Sequence, residues 1–319
     1  MKESMLYYYA KIISMRTIFQ KMVPKGVCLM RYEGIVYRPP SEARSLILQL
    51  TIGCARNECT FCNMYKDKKF RIRDLDEVVE DMKMAKQYYM FDIDRVFLAD
   101  GDALIVKTRD LLYIIDKIHE ILPTVNRITA YGAPRDILAK TPEELKTLHD
   151  AGLDMVYMGA ESGSDKVLKA VKKNATQAEI IEAGLKLKAA GLKSSITLIS
   201  GLGGIENLEE HAVESAKVIS AIKPEFASLL TLLIEPGTEL HAQWKSGNFH
   251  PLEGPDAIFK EMTLFLQNID SEGTVFRANH ASNYIPLGGT FNKDIPALLA
   301  QIERAVSSRT FRPDTFRQL

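Results

Sequence analysis

Three cysteines, Cys54, Cys59 and Cys62, lie close together in the run Gly53-Cys54-Ala55-Arg56-Asn57-Glu58-Cys59-Thr60-Phe61-Cys62, with no histidine between them. Thiolates this near one another can share a metal centre, yet three cannot complete the four-ligand shell of a structural zinc from local residues. A cubane of four irons and four sulfides takes one thiolate per iron, so three cysteines leave one iron open to a small molecule. Two other readings stand beside that one. The triplet could hold zinc with a distant His or Cys28, as a non-catalytic interaction module, or it could be a set of packed thiols, since free cysteine is among the most buried residue types.

The elements around the triplet narrow the choice. From Leu46 onward, short apolar or β-branched runs alternate with longer helical stretches, the pattern of parallel strands joined by crossover helices. Leu46–Ile52, Arg95–Ala99, Arg127–Tyr131, Met155–Gly159, Ser195–Ile199 and Phe226–Leu232 read as strands. Thr141-Pro142-Glu143-Glu144 and Thr176-Gln177-Ala178-Glu179 carry capping boxes, and Gly152 and Gly191 mark helix ends. The fold expected is α/β, a partial (β/α)6 TIM-like barrel, with an N-terminal extension over residues 1–40, a core over 41–245 and a C-terminal extension over 246–319. The unusual residues fall just beyond each strand: the cysteines, Asp100-Gly101-Asp102, Tyr131 to Arg135, Glu161-Ser162-Gly163, Gly201 to Gly204, and Glu235 to Thr238. Loops at strand C-terminal ends converge on one face, so these should share a cavity.

Bulk properties exclude several classes. The 319 residues are 46% hydrophobic and 26% charged, as in an ordinary globular protein, and 41 basic residues balance 41 acidic ones. Neutral charge argues against nucleic acid as a partner. Four cysteines do not make a secreted disulfide framework, which points to a reducing, cytoplasmic setting. The apolar stretch near the N-terminus is broken by Lys11, Arg16 and Lys21, so neither a signal peptide nor a membrane span is expected. Residues 1–38 carry seven Lys/Arg against two Glu, which reads as a solvated helix face or as a surface for an acidic partner. Cys28 reads as a packed thiol.

From about Tyr37 to Leu240 the sequence resembles the radical S-adenosylmethionine superfamily, in particular the branch with the Elongator catalytic subunit, the methylthiotransferases and the oxygen-independent coproporphyrinogen oxidases. The resemblance rests on the triplet with Phe61 before its last cysteine, on Val156 to Gly163, and on the spacing to Leu198-Ile199-Ser200-Gly201-Leu202. One departure is central: the family spaces its ligands C-x3-C-x2-C, and here the first gap is four residues. The resemblance implies an oxygen-sensitive 4Fe-4S cluster on Cys54, Cys59 and Cys62, S-adenosyl-L-methionine as cofactor, and a low-potential donor of flavodoxin or ferredoxin type. Among the positions that match the family, Phe61, Gly101, Asp102, Glu161, Lys173, Thr197 and Gly201 are expected at the cofactor, with Gly101 and Asp102 at the methionine amino group, Glu161 near the ribose and Lys173 near the carboxylate. Each has an alternative: Asp102 and Glu161 as acids stabilised at helix N-termini, Lys173 as part of a solvated charged run.

Substrate choice is expected in the C-terminal extension, where Phe276 to Tyr284 reads as a polar loop. Arg277, Asn279, His280 and Asn283 are the candidates there for a small-molecule substrate, with Tyr131 and Arg135 facing the same cavity; the alternative is a loop that satisfies its own backbone through Asn and Ser turns. The acidic residues that coproporphyrinogen oxidases carry on strands three and five are Tyr131 and Thr197 here, which argues against the same porphyrin chemistry. A tRNA-modifying enzyme remains a third reading, disfavoured by charge.

Overall fold

The computed structural model describes residues 30–89 and 92–317; Cys28 and nearly all of the basic N-terminal segment lie outside them. The chain divides into two compact units, Met1–Tyr32 and Glu33–Leu319. The architecture below is that of the second unit.

Six parallel strands arise where the alternating runs place them: β1 (Leu46–Gln49), β4 (Arg95–Ala99), β5 (Arg127–Tyr131), β6 (Leu153–Glu161), β7 (Lys193–Ser200) and β8 (Phe226–Thr231). They are neighbours in that order in one sheet, extended by β9 (Val275–Ala278), parallel to β8, and by β10 (Leu287–Thr290), antiparallel to β9. The sheet is the α/β, mostly parallel array of a partial barrel. Between its strands run helices α1 (Leu75–Tyr88), α2 (Thr108–Ile121), α3 (Pro134–Ala139), α4 (Pro142–Asp150), α5 (Asp165–Ala170), α6 (Gln177–Ala189) and α7 (Leu208–Ile222), followed by α8 (Glu239–Lys245), α9 (Gly254–Gln267) and α10 (Ile295–Ser308). Both capping boxes form: Thr141 and Thr176 each accept the backbone N–H of the glutamate three residues on, which reaches back to the cap N–H.

Alternation along the strands separates two faces. Val96, Leu98, Ile128, Ala130, Val156, Met158, Ile196 and Leu198 are all but fully buried; each large one contributes roughly 1.5–3 kcal/mol of transfer free energy. The other, inner face carries Ile47, Phe97, Ala99, Met155 and Tyr157, packed with Val36, Tyr131 and Phe226. Its floor is polar. Buried Glu42 accepts from Arg127 Nη2 at 2.9 Å and from the Tyr157 hydroxyl.

Two features differ from the sequence expectation. The first strand is interrupted at Leu50: β1 ends at Gln49, and β2 (Thr51–Ile52) pairs antiparallel with β3 (Arg71–Ile72) while Thr51 O still accepts from Asp100 N at 3.1 Å. Arg73 fixes the break, donating to Gln49 O at 3.0 Å and to Asp81 Oδ2 at 2.7 Å while buried. The segment from Phe276 is not all loop, because Val275–Ala278 is β9. Its partner β10 contains Gly288 and Gly289, residues that weaken a strand signal; a Cβ on Gly289 would lie 2.9 Å from the Asp294 side chain.

Candidate functional site

The two-stranded ribbon of β2 and β3 closes the base of a loop, residues 53–70, that carries all three cysteines. Its position is fixed at several points. Thr60 N donates to Val171 O at 3.0 Å, Leu240 N donates to Thr60 O at 2.9 Å, and Gly101 N donates to Gly53 O at 3.2 Å. Asp100, just past β4, ties the loop to the sheet: its Oδ2 accepts from Gly53 N at 3.0 Å, Gln49 Nε2 at 3.1 Å and Lys68 Nζ at 2.8 Å. Burial raises the Asp100 pKa, and the three donors oppose that rise.

Within the first cysteine gap the backbone bends at residues 55–56. Asn57 adopts φ +38° and its Nδ2 donates to Tyr65 O at 2.7 Å. Asn tolerates the left-handed region because its short polar side chain can bond locally. Neighbouring Arg56 reaches out of the loop to Asp136 Oδ2 at 2.8 Å.

Cys54, Cys59 and Cys62 are free and partly exposed. Burial pushes the Cys59 thiol up to about 11, opposed by Lys173 and reinforced by Glu161, Cys62 and Cys54. Burial likewise raises Cys62, with a hydrogen bond from the Met64 backbone N–H acting the other way. Bare thiolates are therefore costly here, and a bound cation would relieve that cost. Among the described residues no three His, Cys, Asp or Glu side chains converge on a single ion, whereas a mononuclear zinc needs all its ligands about one point. An iron–sulfur cubane distributes its thiolates over separate irons, and this donor set fits it. Gly101 leaves room beside the loop: a Cβ there would lie 3.0 Å from Cys54 Cβ and 2.8 Å from the Tyr65 ring.

Glu161 and Lys173 face the cysteines from β6 and from the turn after α5. They form an ion pair at 2.9 Å, each side chain 14% exposed. The β6–β7 register shifts between Gly159 and Glu161, and Glu161 sits at φ +65°; such a bulge re-aims a side chain at a strand end. A Cβ on Gly159 would come within 2.1 Å of Glu161 Oε1 and 3.2 Å of Lys173 Nζ. Gly163 serves packing, since a Cβ there would lie 2.1 Å from Glu214 O of α7.

The other expected cofactor residues divide. Thr197 lies half-buried on the inner face of β7, in register with Gly159 and Ser228. Gly201 turns at φ +85°, and its N–H donates to Glu261 Oε2 at 2.6 Å. Glu261 also accepts from the Ser200 hydroxyl and pairs with His211 Nδ1 at 3.0 Å, so a buried network beneath the turn sets its shape. Phe61 packs on Val167, Val171 and Leu202. Asp102 is fully buried; its Oδ1 accepts from Ala133 N at 3.2 Å at the start of α3, and its carboxyl lies against Asp136. Burial first, and then Asp136, hold its pKa well above the usual value.

Of the expected substrate residues, Tyr131 borders the inner face, edge-on to Phe97 with centroids 4.9 Å apart. Arg135 is exposed in the first turn of α3, near Glu179 at the start of α6, whose pKa is lowered mainly by the Thr176 backbone N–H and only lastly by the charge of Arg135. Asn283 is fully buried and structural, its Oδ1 accepting from Thr231 Oγ1 at 2.8 Å and its Nδ2 donating to Leu229 O at 2.9 Å. His280 Nδ1 lies 2.9 Å from the Ser282 hydroxyl, and burial, then Arg312, lowers its pKa. The loop past β9 thus largely satisfies itself, while Asn279 and Arg277 stay exposed.

Lys68, Asp100, Asp136, Ser228 and Glu261 went unremarked as site residues in the sequence. Only Asp100 had a visible signal, its place in the Asp-Gly-Asp run after a strand.

Comparison with known proteins gives the same picture. The family profile described as the Radical SAM superfamily matches residues 48–216, more than half of the chain. The chain is 30% identical over 147 residues to a provisionally named methylthiotransferase of Methanocaldococcus jannaschii, covering 44% of this chain and 32% of that protein. It is 22% identical over 177 residues to the heme chaperone HemW of Bacillus subtilis, covering 54% and 46%. It spans less than half the length of these curated relatives. Among solved structures, the coproporphyrinogen III oxidase HemN of Escherichia coli superposes with a TM-score of 0.54 at 16% identity, over 70% of this chain and 52% of that one, a likeness of fold.

Proposed function

The chain belongs to the radical SAM superfamily, and from that membership we propose that it cleaves S-adenosylmethionine reductively at a 4Fe-4S cluster and abstracts hydrogen from a small substrate. The observation that carries this reading is the set of three free thiols on a pinned loop, faced by the Glu161–Lys173 pair. The chemistry that cluster and S-adenosylmethionine supply when bound is one-electron scission of a sulfonium bond, which releases a hydrogen-abstracting carbon radical.

This chain's residues bind and orient. Cys54, Cys59 and Cys62 would hold the cluster and leave one iron open for the cofactor. Lys173 offers its ammonium to that carboxylate without leaving Glu161, since an ammonium has three donors. Glu161 keeps a second oxygen for the ribose hydroxyls. Asp102 is committed to Ala133 N and Asp136, so exposed backbone beside Gly101, rather than that carboxylate, receives the cofactor's ammonium. Thr197 and the Gly201 turn line the nucleoside side, and Tyr131 with Phe97 forms a wall that excludes water.

Enzymes of this superfamily need a reductant, and a flavodoxin- or ferredoxin-type donor in a reducing cytoplasm suits this one. No helix among the described residues is long and apolar enough to cross a membrane. Anaerobic reconstitution should give a brown chain with about four irons that forms 5'-deoxyadenosine from S-adenosylmethionine under reduction. A fully loaded, reduced chain that forms none would sink the reading.

A further inference from the structure

The inner face of the sheet carries a cation that nothing in the described fold neutralises. Along β9, Phe276 points outward: it is buried and stacked on Phe291, with ring centroids 4.8 Å apart, and it packs near Phe265 of α9. Alternation then puts Arg277 on the opposite, inner face. Packing fixes its neighbours in the same way. Phe226 packs in the inner cluster with Met155 and Tyr157, so Ser228, two residues on, shares that face; Ile199 packs against the group that includes Phe61, so Thr197 shares it too.

Register aligns these residues in one row. Gly159 pairs with Thr197, Thr197 with Ser228, Ser228 with Arg277, and Arg277 with Gly288. Arg277 is exposed and makes no hydrogen bond or ion pair with any described residue. The acids that share the inner face are already committed: Glu161 to Lys173, Glu42 to Arg127. Gly288 lies beside the guanidinium: a Cβ there would meet Arg277 Nη1 at 3.4 Å, an ordinary contact distance. At one end of the row, then, stand Gly159 and the Glu161–Lys173 pair beside the cysteines; at the other, about 14 Å away by three strand spacings, stands an uncompensated fork of N–H donors.

We propose that Arg277, helped by the hydroxyl of Ser228 beside it, receives an oxyanion of the substrate, a carboxylate or a phosphate, and so aligns a small anionic molecule along this row with its reacting carbon toward the cysteines. The inference rests on the radical SAM reading and names the substrate class for that site. A planar guanidinium pairs bidentately with either anion, and such charge-assisted pairs are about twice as strong as neutral ones. A hydroxyl beside it accepts or donates as the anion requires.

The test is calorimetric titration of the reconstituted chain, saturated with S-adenosylmethionine so that the cofactor's own carboxylate contacts are filled, with inorganic phosphate in one arm and succinate in the other. One of the two should bind saturably, and the tighter arm identifies the anion. Arg277→Gln should weaken it at least about tenfold, the scale of losing a hydrogen bond to a charged group; Arg277→Lys should recover part of the loss, and Ser228→Ala should weaken it less than Arg277→Gln. Failure of both anions to bind the wild-type chain, or binding to Arg277→Gln equal to wild type, overturns the proposal. Should Arg277→Gln not fold, the Arg277→Lys and Ser228→Ala chains decide instead, both equal to wild type being the overturning result. The titration needs no turnover, so absence of 5'-deoxyadenosine in the wild-type chain would count against the enzyme reading alone.

Discussion

Asn57 lies inside the longer cysteine gap at a left-handed backbone position. A β-branched residue is poorly suited to φ +38°, whereas glycine adopts it freely. Asn57→Val should therefore lower iron incorporation on anaerobic reconstitution, and Asn57→Gly should retain most of it; equal loading in the two variants would contradict the role given to this position. Asp102 makes a second prediction. Its folded pKa lies above the ordinary 3.8, so the stabilisation from its bound proton is complete below that value and is lost as pH rises through the raised one. Asp102→Asn, which imitates the protonated acid, should flatten the fall in stability as pH rises above 3.8, as read from denaturation midpoints. The cysteines were legible from residue type and spacing alone. Asp102 and Asn283 were not fully so, because a carboxylate or an amide after a strand looks the same in sequence whether it faces a ligand or is buried against its own fold.

At the scale of elements, strand ends and helix starts decide which side chains meet. Gly163 lets the end of β6 reach α7, and Gly163→Ala would drive a Cβ to 2.1 Å from Glu214 O. Because that neighbour is backbone, the expected cost is at the upper end of overpacking, about 3 kcal/mol or more, measurable as a shift of the urea midpoint at unchanged slope. The six core strands and both capping boxes could be read in the sequence, since alternation and caps are local signals. Strands β9 and β10 could not, because one is four residues long and the other carries two glycines; β9 exists through pairing with β8, and β10 through pairing with β9. The interruption after Gln49 was hidden for a similar reason: Leu50, Thr51 and Ile52 continue the apolar run, and it is distant Arg73 and β3 that pair with them there.

For the molecule as a whole, the inner face brings together residues from β6, β7, β8 and β9 that span more than a hundred positions of chain. A ligand bound there stabilises all of them at once. S-adenosylmethionine at a hundredfold excess over its Kd should add about 2.7 kcal/mol to the loaded chain, a rise in melting temperature of roughly 4 °C for a domain of this size. A loaded chain whose melting temperature does not respond would show that the cofactor site is not formed.

The order of the main sheet has a consequence for synthesis. Each strand lies beside the one made before it, from β1 through β10, with only the β2–β3 ribbon set apart. A nascent chain leaving the ribosome thus meets a finished template for every new strand, and assembly can zip forward from the amino end with few distant segments to wait for. The one reversal, β10 antiparallel to β9, comes last and completes the sheet.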